Sequence, residues 1–101
     1  MTHPTSGIRL LLIRRGVAAD GSRAEYDAAV YTPDAAFHYH AELDQRGNAT
    51  LTPRGAVAGD DHEQALLKMA RSVARAAARR AADRLEPWPP RVLRWRGPGR
   101  G

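Results

Sequence analysis

A chain of 101 residues that is 43% apolar but only 6% aromatic has room for one domain with a thin core. It holds no cysteine, which excludes disulfides, thiolate metal sites and redox chemistry at sulfur. The net charge of +5 and a pI near 10.7 point to anionic partners, with a discount because every basic residue except Lys68 is Arg, the skew of a GC-rich genome.

The opening stretch, MTHPTSG, has neither the basic nor the apolar region of a signal peptide and reads as a flexible N-terminus over residues 1–7. Residues 8–15, IRLLLIRR, are apolar on both parities, the pattern of a strand that needs cover on both faces. This longest apolar run is too short to span a bilayer, so a cytoplasmic protein without a membrane span is expected. In that compartment the sequon at Asn48 is irrelevant.

ADGS at 19–22 signals a turn, with Gly21 free to take positive φ. RAEYDAAVYT then alternates, setting Ala24, Tyr26, Ala28 and Val30 against Glu25, Asp27, Ala29 and Tyr31. After Pro33-Asp34, AFHYHAEL alternates again, with Phe37, Tyr39, Ala41 and Leu43 against His38, His40, Glu42 and Asp44. DQRGN turns the chain once more, and Ala49 to Thr52 forms a short fourth strand stopped by Pro53. Three successive hairpins of this kind make an antiparallel meander with one apolar and one polar face.

Asp60 is the expected N-cap of a helix over residues 60–85, with Glu63 at capping-box spacing. Asp60, Asp61 and Glu63 suit the positive end of the helix dipole; Arg79, Arg80 and Arg84 suit the negative end. At 100° per residue Leu66, Met69, Ala70, Val73, Ala77 and Ala81 share one face, and Lys68, Arg71, Arg75 and Arg79 form a stripe opposite. A helix of that length reaches about 39 Å and outruns strands of about 26 Å. Its alanine end then suggests a second subunit. The rest, EPWPPRVLRWRGPGRG, reads as an extended basic tail over 86–101, within which RVLRWR is able to add a short strand and GPGRG is expected to be disordered.

The fold expected is therefore α+β: a four-stranded antiparallel meander over residues 8–53, one long C-terminal amphipathic helix, and an extended Arg/Pro/Trp tail. The charge is uneven. Residues 1–59 balance their six Arg against six acids, so all the excess lies in residues 60–101.

His38 and His40 share a strand row with Glu42 and Asp44, which makes them weak metal candidates; a ligand from a second element is lacking unless His3 or His62 supplies it. The acids of DDHE at 60–63 diverge around a helix and do not converge on a substrate. No G-x-S-x-G elbow is present, and GPGRG opens no helix, so it lacks the context of a phosphate loop. The expectation is a protein that is not an enzyme, with no cofactor, no metal and no small-molecule substrate. An alanine-rich helix face is also a poor membrane anchor.

The preferred reading is a small basic binding module, a homodimer, for an anionic partner, nucleic acid first. DNA or RNA is bound without sequence specificity through Lys68, Arg71, Arg75 and Arg79 on the helix and Arg91, Arg94, Trp95 and Arg96 in the tail. The polar sheet face, with Glu25, Asp27, Glu42 and Asp44, has the wrong sign for phosphate. The rival is a homodimeric interaction or structural protein whose basic stripe only keeps it soluble.

Overall fold

The computed structural model describes residues 7–96, so the expectations for residues 1–6, His3 included, and for GPGRG lie outside the described residues. The architecture is α+β. Strands β1 (Ile8–Val17), β2 (Arg23–Tyr31), β3 (Ala36–Asp44) and β4 (Ala49–Pro53) precede helix α1 (Asp60–Ala82), and β5 (Arg91–Arg96) follows it. All pairings are antiparallel, and the strand order is β4-β3-β2-β1-β5. Among the described residues no helix is long and apolar enough to cross a membrane.

The meander is as expected, but the sheet has five strands rather than four. RVLRWR pairs along the free edge of β1, from Ile13 opposite Arg91 to Ile8 opposite Arg96. The doubly apolar β1 thus lies inside the sheet, with a neighbour on each edge. The segment leading to β5 is fastened to the core. Trp88 is fully buried and its indole N–H donates to the Gly21 carbonyl at 2.8 Å. The Tyr26 hydroxyl donates to the Pro89 carbonyl at 2.7 Å, and the Arg14 guanidinium donates to the Trp88 carbonyl and the Glu86 carboxylate.

One face of the sheet packs against α1. Leu10, Leu12, Ala24, Tyr26, Val30, Tyr39, Ala41 and Leu43 meet Leu66, Met69, Ala70, Val73, Ala74 and Ala77 there. The many alanines on both sides let the helix backbone approach the sheet closely, at the expense of buried area. Helix α1 lies across β1 to β4.

Both ends of the helix differ from expectation. The N-cap is Gly59, with no side-chain cap, and Asp60 is already helical. Glu63 does not reach back to close a capping box, because its carboxylate accepts the Tyr39 hydroxyl at 2.8 Å while that hydroxyl accepts the Ala58 N–H. A tertiary contact has taken the residue that local spacing assigned to the cap. The helix stops at Ala82, before Glu86-Pro87. Arg84 adopts a left-handed φ of 60°, the Arg84 N–H donates to the Ala81 carbonyl, and the Leu85 N–H donates to the Arg80 carbonyl. That pair of bonds is the Schellman arrangement. At 23 residues the helix is about 34 Å long. Ala77 is buried in the core of its own chain, so the overhanging alanines are only those of the last turn, Ala81 and Ala82.

Candidate nucleic-acid interface

Lys68, Arg71, Arg75 and Arg79 are all exposed on α1, on the helical face opposite the buried Leu66, Met69, Val73 and Ala77, as the helical period requires. Among the described residues none of the four lies within ion-pair distance of a carboxylate. Arg71, Arg75 and Arg79 rise along the helix in steps of about 6 Å. A row of unpaired cations at that interval can follow successive phosphates on one strand.

Two residues that sequence reasoning missed extend this row. Arg23, at the start of β2, and Arg46, in the β3–β4 turn, line an open cleft with Ser22, Asp44, Gln45 and Ala78. Gly47, beside Arg46, lies directly under Arg75: a Cβ built on it comes within 2.7 Å of the Arg75 Cγ. The Arg75 stem therefore rests on the turn that carries Arg46. The missing signal was tertiary, since nothing in the sequence puts the third hairpin turn beneath the fifth turn of the helix.

The tail residues do not join the stripe. In the β1–β5 register Arg94 and Arg96 sit opposite Leu10 and Ile8, on the helix side of the sheet but beyond the strands the helix covers. Arg91, Leu93 and Trp95 sit opposite Ile13, Leu11 and Arg9 and so occupy the other face. Trp95 is 39% exposed, and the Arg9 guanidinium lies 5.8 Å from its ring centroid. The sheet thus separates the helix stripe from Trp95.

That other face, which no element of the described chain covers, is the polar side of the meander. Asp27 accepts from Arg54 at 2.9 Å and pairs with Arg15 at 3.3 Å. Glu25 and Glu42 are directly opposite each other across β2 and β3, an unfavourable like-charge pair. The His40 imidazole bridges them, with Nε2 3.1 Å from Glu25 and 3.7 Å from Glu42. One donor atom from each of the three lies within 4.8 Å of the others. The second element lacking in the metal reading is thus Glu25, while His38 stacks edge-on against Tyr31 and stays outside the cluster. Asp44 turns away from the row to order its own hairpin. Its carboxylate accepts from the backbone N–H of Arg46 and Asn48 and from the Asn48 side chain, and the bonds from Asn48 above all hold its carboxyl below the usual range.

Comparison with family models, with curated proteins and with solved structures finds no match.

Proposed function

We propose that the protein is a small, non-enzymatic binding module for an anionic polymer, nucleic acid first, and that its contact surface is the outer face of α1. The observation that supports this is the stripe of Lys68, Arg71, Arg75 and Arg79, exposed and unpaired, whereas Arg14, Arg15 and Arg54 of the sheet half are paired with Glu86 or Asp27. Arg46 and Arg23 widen the patch at the C-terminal end of the stripe. The reading takes no cofactor and no metal, and it places the protein in the cytoplasm.

Because the sheet stands between the stripe and Trp95, the module grips a phosphate backbone through the helix and does not stack bases at the same time. Affinity then depends on counterion release, with little preference for sequence or for single over double strands. The test is fluorescence anisotropy with single- and double-stranded DNA and RNA at two salt concentrations. Arg71→Glu combined with Arg79→Glu is expected to weaken binding by about two orders of magnitude at low salt and to flatten the salt dependence. Circular dichroism checks that the fold survives. Absence of any salt-sensitive binding at low ionic strength overturns the proposal and leaves the stripe as a solubilising surface on an interaction protein.

A further inference from the structure

The open face of the sheet has a pattern of its own. Its middle is apolar: Leu11, itself buried, pairs with the buried Ala29 on one side and with Leu93 on the other, and the exposed apolar side chains here include Ile13, Leu93 and Trp95 on β1 and β5. Leu93 and Ile13 are about two-fifths exposed, at 40% and 42%. The charges divide across this middle. Arg9, Arg15 and Arg91 lie on the β1 and β5 side, whereas Glu25, Asp27 and Glu42 lie on the β2 and β3 side, where Asp27 is paired with Arg15 and Arg54.

We infer that this face is the contact surface of a homodimer, closed by a second copy of the chain about a two-fold axis parallel to the strands. Rotation about such an axis in the plane of contact reverses left and right across the sheet but keeps position along the strands. The row between β1 and β2 then faces itself, with Leu11 of one copy over Ala29 of the other. The basic side, with Arg91, meets the acidic side of the other copy near His40 and Glu42. A two-fold axis perpendicular to the strands instead stacks like charges on like. The charge pattern therefore selects both the occupant and its orientation, and isologous contact of this kind is the commonest way for small proteins to pair. Aligned sheets facing each other at about 10 Å are also a standard packing.

The size of the face sets the strength. Four strands about 4.8 Å apart and six residues long cover on the order of 400 Å² in projection, and more in accessible surface. That is below a standard stable interface, which buries about 800 Å² per partner, and belongs to weak, transient association. Association in the micromolar range is expected. The inference does not rest on the nucleic-acid reading, since the helix stripe is on the opposite side of the sheet. It leaves two copies of that stripe pointing outward from the dimer.

Sedimentation equilibrium of the full chain at about 50 μM should give about twice the 11.1 kDa chain mass. Arg91→Glu and Glu42→Arg should each weaken the dimer by at least about tenfold, and the double variant Arg91→Glu/Glu42→Arg should recover it. Leu93→Glu should give a folded monomer by circular dichroism and sedimentation. A wild-type monomer overturns the inference. So does a dimer that persists in Leu93→Glu, or single reversals that the double variant does not rescue. A monomer that binds single-stranded nucleic acid and loses it in Trp95→Ala assigns the face to bases instead. These outcomes are separate from loss of binding in the helix variants.

Discussion

Tyr26 shows how a single side chain holds two distant parts of the chain together. Its ring is fully buried in the sheet core, and its hydroxyl donates to the Pro89 carbonyl just ahead of the last strand. Burial pushes its pKa up from 10.0 to about 12, Arg14 opposes that shift, and Glu86 adds to it. An unfolded tyrosine ionises near pH 10, whereas the folded one keeps its proton to about pH 12. The stabilisation is thus complete below pH 10 and is lost as pH rises towards 12, by on the order of 2 kcal/mol from this group. Denaturant unfolding monitored between pH 9 and 12 should show that decline. Tyr26→Phe should abolish this group's part of it while lowering stability at pH 7 by about 1 kcal/mol, because the Pro89 carbonyl loses its donor. Tyr39 is pushed up in the same direction, mainly by burial and partly offset by the Ala58 N–H.

The elements were legible in the sequence wherever the cause was local. Alternation placed β2 and β3 with their buried faces correct, and the helical period placed the apolar and basic sides of α1. Three of the misses involve a partner distant in sequence. Glu63 was drawn to Tyr39 rather than to the cap; Glu25 reached His40 through a strand register that a reading along β3 alone does not contain; β5 found its neighbour at the other end of the chain. The C-terminus of α1 is a different kind of miss, since its Schellman turn has Arg at the position where glycine is usual, and no sequence signal marked it. Left-handed backbone at a residue with a Cβ carries strain of about 1–2 kcal/mol. Arg84→Gly should therefore stabilise the protein by about 1 kcal/mol, read from the midpoint of urea unfolding, since its side chain has no bond or ion pair among the described residues to lose. An unchanged or lowered midpoint shows that the arginine contributes something the backbone argument omits.

At the scale of the whole molecule, the chain is a sheet with two unlike sides. The charge excess noticed in the C-terminal part of the sequence is real, but the fold distributes it over three places. These are the outer face of α1, the helix-side edge of β5, and the open sheet face. A linear count of arginines treats them as one site, whereas the sheet keeps them apart. Only the helix stripe survives as a continuous row, and only there do Arg23 and Arg46 add to it.

The pairing of β1 with β5 also governs how the chain reaches this structure. Three hairpins and a helix assemble from neighbours in sequence, and contacts of that kind form quickly. The last strand has to close a loop that runs from Leu11 to Leu93 before its first pairing is gained. Until then IRLLLI has a bare edge of unpaired amides, apolar on both sides, which is the exposure that recruits other nascent chains. β5 is in this sense a built-in guard strand, and its arginines leave the new outer edge charged. A chain cut after Leu85 should not be a smaller version of the domain. It loses Trp88 as well as the guard strand, and is expected to scatter light at concentrations where the full chain stays clear. A truncated chain that remains dispersed and cooperatively folded shows that the meander protects its own edge.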